Sequence, residues 1–273
     1  MRADLHVHSS ASDGTDPPAE VMRRAALAGL DVVALTDHDT VAGHAEARRA
    51  GGPVTLLPGM ELSARLDGRS VHMLAYRFDP DQPELAAELG RIRDDRVLRA
   101  QAMVRRLADL GVPITWDQVT AIAGQGVVGR PHIARAMAAS GAIASPRDAF
   151  TSDWIADGGR AYVGRYALDP VRAIGLVRAA GGVAVLAHPR ADRDTRVSDE
   201  QIAGLAAAGL AGVEVYHPDQ IDTERTGLLA LAHDLGLVAT GGSDDHGSLT
   251  GHRIGVETTD AGAYQALMER VTG

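Results

Sequence analysis

Two histidines one residue apart, His6 and His8, open the chain in MRADLHVHSSASDG, and Asp13 follows in the same stretch. If ADLHVH is a strand, alternation puts Leu5 and Val7 on one side and both imidazoles on the other. Two imidazoles met by a carboxylate from the next loop make the start of a metal site. Two solvated histidines on a surface strand are the alternative. The same residue types recur along the chain: LTDHDT carries His38, GMELS carries Glu61, VHML carries His72, LAHP carries His188, YHP carries His217, and GGSDDHG carries Asp244 and His246. Imidazole and carboxylate ligands without thiolate suit zinc, manganese or iron(II). The candidates His6, His8, Asp13, His38, Glu61, His72, His188, Asp244 and His246 are too many for one ion, which points to two or three ions sharing a bridging carboxylate. Clustered divalent ions turn water into a hydroxide nucleophile and clamp the oxygens of an in-line phosphoryl displacement. Hydrolysis of a phosphate ester is the chemistry these residues suggest.

Such residues must be gathered by a scaffold, and the chain has one. The β-like runs ADLHVH, DVVALTDHD, VTLLPGMELSA, RSVHMLAYRF, GVAVLAHP, GVEVYHP, GLVATGGSDDH and RIGVET mostly alternate with Ala/Leu/Arg-rich helical segments. That rhythm predicts an α/β fold with a largely parallel sheet, whose strands converge their carboxyl ends on one face. One pair departs from it: Asp67-Gly68 between two alternating runs signals a hairpin. With a two-residue turn, Ser63 faces His72 and Glu61 lies diagonally from His72 on the same face, close enough for one ion to join them. From about Leu85 to Arg160 the strand rhythm stops and the chain reads as helical. The expected organisation is a barrel domain from 1–84 and 161–273 with an inserted helical subdomain at 85–160. Without the insertion too little chain remains for an eight-stranded barrel, which takes ~250 residues, so a smaller, distorted barrel is expected.

Composition narrows the possibilities further. The chain has 273 residues, 45% of them hydrophobic, and no cysteine, which rules out disulfides and thiolate ligands. A formal net charge of -9 argues against a long footprint on duplex DNA. No signal peptide and no apolar run of the ~20 residues needed to span a bilayer are seen, so a soluble cytoplasmic protein without a membrane partner is expected.

In their order, HVHSSASDG, LTDHDT, GMELS with the following VHML, LAHP and GSDDHG resemble the polymerase-and-histidinol-phosphatase (PHP) domain. The nearest subgroup is that of stand-alone phosphoesterases acting on nucleoside 3′,5′-bisphosphates, some of which also trim short RNA from the 5′ end. The resemblance implies a distorted seven-stranded (β/α)7 barrel with a trinuclear centre. By motif, His6, His8, Glu61 and Asp244 would hold one ion; Asp13, His38 and His246 a second; and Glu61, bridging, with His72 and His188 a third. Manganese is the metal implied, with iron and zinc as alternatives.

Within the insertion, Arg96 and Arg99 interrupt the apolar stripe Leu85, Leu89, Ile92, Met103, Leu107 and Leu110. They either pair with buried acids or face an anion, for which guanidinium forks are suited. Gly129-Arg130-Pro131-His132 precedes the helix IARAMAAS, and a helix N-terminus beside an arginine attracts anions. The resemblance implies that Arg96, Arg99, Arg130 and His132 bind the second phosphate of the substrate. In the expected mechanism a metal-bound hydroxide attacks phosphorus in line, with Asp13, His38 and His246 as catalytic residues and His217 as the candidate acid for the leaving oxygen, metal coordination of that oxygen or a water being the alternatives. A small phosphorylated nucleotide is the expected partner, and short RNA ends the alternative. A histidinol-phosphate phosphatase and a non-catalytic nucleotide-binding module are the remaining readings. Asp245 stands where the subgroup often has an aromatic residue, which bears on base stacking.

Overall fold

The computed structural model describes residues 1–191 and 196–271. It consists of two compact units, Met1–Ala87 with Ala167–Gly273, and Glu88–Tyr166.

The first unit is a mixed barrel. Its strands are β1 (Arg2–Val7), β2 (Val32–Leu35), β3 (Thr55–Leu66), β4 (Arg69–Tyr76), β5 (Val183–Leu186), β6 (Gly212–Tyr216), β7 (Val238–Gly241) and the two-residue β8 (Thr259–Asp260). They form one sheet in the order β7-β6-β5-β4-β3-β2-β1-β8. β1 to β3 run parallel, β3 to β5 antiparallel, and β5 to β7 parallel. The ends nearly close. Gly241 N–H donates to Thr259 Oγ1 at 2.8 Å and that hydroxyl donates back to Gly241 O, while Asp244 N–H donates to His6 O at 2.7 Å. This is the distorted α/β barrel expected, with β8 added to the seven longer strands. RIGVET, read from sequence as β-like, is instead turn and bend, and only Thr259–Asp260 beyond it pairs with β1.

β2 and β5 are buried on both faces, as strands lined on one side by helices and on the other by barrel core must be. The central core takes Leu5, Ala34, Leu57, Leu74, Tyr76 and Val185 from successive strands. A second core under α1 (Pro18–Leu27) and α2 (His44–Ala50) takes Val7, Met22, Val33 and Leu35. Leu5 and Val7 therefore part company, contrary to simple alternation. The pairing of β1 with β2 shifts register between Asp4 and Val7, and such an irregularity re-aims the side chains beyond it. The β3–β4 hairpin follows the sequence expectation: Leu66 pairs with Arg69, Ser63 with His72 and Glu61 with Leu74. Asp67 (φ 48°) and Gly68 (φ 81°) are both left-handed, the geometry of a type I′ turn. The remaining helices of this unit are α6 (Pro170–Ala179), α7 (Asp199–Ala207), α8 (Asp222–Asp234) and α9 (Ala261–Met268).

α3 (Pro83–Asp109) begins in the first unit and runs most of its length in the second, which also holds α4 (Trp116–Ala123) and α5 (Arg130–Ala139). A capping box starts α4: Gln118 N–H donates to Thr115 Oγ1, and Thr115 N–H donates to Gln118 Oε1. Met103, Leu107, Val119, Ile133, Met137 and Ile155 fill this unit's own core. No helix among the described residues is long and apolar enough to cross a membrane.

Candidate metal centre

Glu61 lies near the middle of β3 and is 1% exposed. Its Oε2 lies 3.1 Å from His8 Nε2, 3.1 Å from His38 Nδ1 and 3.4 Å from His6 Nε2. Its Oε1 lies 2.7 Å from His72 Nδ1 and 3.2 Å from His188 Nε2. One carboxylate thus collects the imidazoles of His6, His8, His38, His72 and His188, drawn from the carboxyl ends of β1, β2 and β5 and from β4. Asp244, beyond β7, adds Oδ1 at 3.4 Å from His6 Nε2 and 3.2 Å from His8 Nε2. Asp13 sits 3.4 Å from His246, 3.7 Å from His8 Nδ1 and 3.7 Å from His38 Nε2. Ligand atoms close enough to share an ion fall into the groups His8-Asp13-His38-His246, His6-His8-Glu61 and His38-Glu61-His72.

Local backbone makes this convergence possible. His188 (φ 24°) and Asp244 (φ 48°) are left-handed without being glycine, and such conformations persist only where the surroundings enforce them. Gly242 lets the end of β7 approach β1: a Cβ there would stand 2.4 Å from His6 Cβ. The serines of HVHSSASDG brace the first loop, since Ser9 N–H, Ser9 Oγ and Ser12 Oγ all donate to Asp37.

The electrostatics ask for positive charge. Burial disfavours a charged His8, yet hydrogen bonds to Asp244 and Glu61 push its pKa up to about 10. Burial likewise opposes ionisation of Glu61, Asp13 and Asp244, but the facing imidazoles hold all three well below the carboxylate range. His38, by contrast, is driven down to about 3 by its burial. His6 Nε2 and His8 Nε2 stand 3.1 Å apart, and among the described residues the buried His8 Nδ1 has no hydrogen-bond partner. Lone pairs aimed at one another beside ionised carboxylates fit divalent cations better than they fit protons.

His217 is 2% exposed and directly follows β6. Its Nδ1 accepts from Asp219 N–H at 3.1 Å, which leaves the ring proton on Nε2, 3.3 Å from Asp244 Oδ2. The four basic candidates of the insertion lie together in the helical unit. Arg99, 7% exposed, donates to Val163 O at 2.7 Å and lies over the Tyr162 ring. Burial, with the charges of Arg130 and Arg96, lowers its pKa to about 10. Arg130 pairs with Asp157 at 2.6 Å and lies over Phe150 and Tyr162. α5 starts at Arg130, earlier than read from sequence, because Gly129 N–H donates to His132 Nδ1 and caps it. Asp245 is buried and accepts from Gly247 N–H, Thr250 Oγ1 and Arg253 N–H, so it ties its own loop.

Sequence reasoning missed several groups. Asp4 is buried and accepts from Ser243 N–H and Gly255 N–H, holding the post-β7 loop to β1. Arg253 donates to Asp244 O at 3.2 Å and to Asp219. Glu214 lies 3.1 Å from His6 Nδ1. A lone acid inside the apolar run GVEV was the available signal for Glu214. His44, at the start of α2, is also buried, and its Nε2 donates to Leu35 O and Gly59 O.

The PHP domain family profile matches residues 4–110. A 3′,5′-nucleoside bisphosphate phosphatase of Chromobacterium violaceum is 35% identical over 94% of this chain and 91% of its own length. A 5′-3′ exoribonuclease of Haemophilus influenzae is also 35% identical, over 89% of each chain. A crystal structure from Bifidobacterium adolescentis, described as that of a metal-dependent phosphoesterase, superposes with a TM-score of 0.93 at 36% identity, covering 99% of this chain and 96% of the other.

Proposed function

The chain belongs to the PHP family of metal-dependent phosphoesterases and is a phosphoric ester hydrolase, and from that premise we propose that it removes the 3′-phosphate of nucleoside 3′,5′-bisphosphates. The observation that carries the metal part of this reading is Glu61, one buried carboxylate ringed by the imidazoles of His6, His8, His38, His72 and His188. In this reading three ions would be held, manganese before iron or zinc, and Glu61 would be shared by the first and the third. His6, His8 and Asp244 complete one site, Asp13, His38 and His246 the second, and His72 and His188 the third. Bound divalent ions supply Lewis-acid charge to the phosphoryl oxygens and lower the pKa of water. The protein's residues do the rest. Asp13 and Asp244 hold their histidine neighbours in place, and His217 Nε2–H is the ring proton available beside the cluster for the leaving oxygen. Arg96, Arg99, Arg130 and His132 are the proposed anion-recognition group. The mutual repulsion of the arginines supports this, since an anion would relieve it.

The Haemophilus influenzae relative, equally similar, favours a second reading, cleavage at the 5′ end of short RNA. Phosphate release from adenosine 3′,5′-bisphosphate and from 5′-AMP, with manganese and after chelation, tests the first. Metal-dependent release from the bisphosphate alone is the expected result. Release from neither substrate, with nucleotide freed from a short 5′-phosphorylated RNA, replaces it by the second.

A further inference from the structure

Glu214 is fully buried in β6, between Val213 and Val215, where an unpaired carboxylate would be costly. Both of its oxygens are engaged. Oε1 and Oε2 lie 3.1 and 3.3 Å from His6 Nδ1, and Oε2 accepts from the backbone N–H of His188 at 2.8 Å. A carboxylate against Nδ1 keeps the imidazole proton on that nitrogen and leaves the lone pair on Nε2. His6 Nε2 is the atom that faces His8, Glu61 and Asp244. At His188 the same carboxylate acts through the main chain, holding the N–H of a residue whose φ of 24° a non-glycine rarely adopts. That backbone turn brings His188 Nε2 to 3.2 Å from Glu61 Oε1 and stacks its ring on His6 at 5.6 Å.

We propose that Glu214 is a positioning residue that sets two metal ligands at once, fixing the tautomer of His6 and the backbone turn of His188. The inference rests on the metal reading above, in which these histidines serve different ions. Glu214 itself is no ligand, because both its oxygens are turned to His6 Nδ1 and His188 N–H. Its function requires two acceptors side by side. An amide offers one acceptor and one donor, so in Glu214→Gln an N–H must face either the His6 ring N–H or the His188 backbone N–H. The substitution is nearly isosteric and leaves the barrel core filled.

The test is a titration of metal-free protein with Mn²⁺ alone, in competition with a fluorescent chelator, read together with the electron paramagnetic resonance spectrum of the bound ions. Glu214→Gln is expected to weaken Mn²⁺ binding by roughly 10- to 100-fold, the usual cost of losing a partner behind a metal ligand. Its metal-free form should melt close to the wild type. Glu214→Asp, which keeps two acceptors on a shorter arm, should recover part of the affinity. Wild-type affinity and spectrum in Glu214→Gln overturn the proposal. If Glu214→Gln does not fold, the Glu214→Asp titration decides, and affinity equal to wild type overturns it. Should the wild type itself take up no Mn²⁺, the metal reading fails first and takes this inference with it.

Discussion

At the strand ends of the barrel unit, buried imidazoles and carboxylates meet one another; in the helical unit, arginines meet backbone carbonyls and aromatic rings. His6, His8, Glu61 and Asp244 come from β1, β3 and the segment after β7, yet their side chains lie within hydrogen-bond range of each other. Arg99 and Arg106 instead donate to the carbonyls of Val163 and Tyr162, and Arg130 shares the Tyr162 ring with Arg99. The first arrangement concentrates facing charges that a bound cation would screen. In the second, Asp157 is the partner of Arg130. One cluster is built around carboxylates, the other around guanidinium groups, which is the basis for the anion role proposed above.

The sharpest way to break this comparison is at the carboxylate cluster. Asp13→Ala or His246→Ala should abolish phosphate release and lower bound manganese measured by elemental analysis, while leaving the helical unit's core intact. Leu107→Ala, fully buried in that core, should cost about 2–5 kcal/mol, read as a lower urea midpoint, with manganese content unchanged. Arg130→Ala should raise KM for a bisphosphate roughly 10-fold, the cost of about one charge-assisted hydrogen bond, with kcat retained. Equal and unchanged kinetics on bisphosphate and monophosphate would remove the anion role from the helical unit. The smallest effect concerns His44. Burial lowers its pKa below the ordinary 6.5, so the unfolded chain binds the proton more readily. Its contribution to stability is therefore present above pH 6.5 and lost as the pH falls below that value. His44→Gln, whose amide can still donate to Leu35 O and Gly59 O, should flatten the fall in Tm over that acidic range.

Much of the barrel was legible in the sequence because its signals are local. The turn at Asp67-Gly68 sets its own register, and register alone puts Glu61 and His72 on one face. The strand-end histidines could be read because parallel α/β architecture sends successive carboxyl ends to one side. What composition and spacing could not supply were the partners of buried groups. Glu214 looked like one acid in an apolar strand, and only the near-closure of the barrel brings it to His6 and His188. Arg99 reads from sequence as a break in an apolar stripe, but the carbonyl that meets it, Val163 O, lies 64 positions away. Local chemistry thus determined which residues could bind metal and where the strands begin and turn. Tertiary structure decided which nitrogen of each imidazole faces inward and what stands behind it, because those choices are made by contacts between segments remote in the chain.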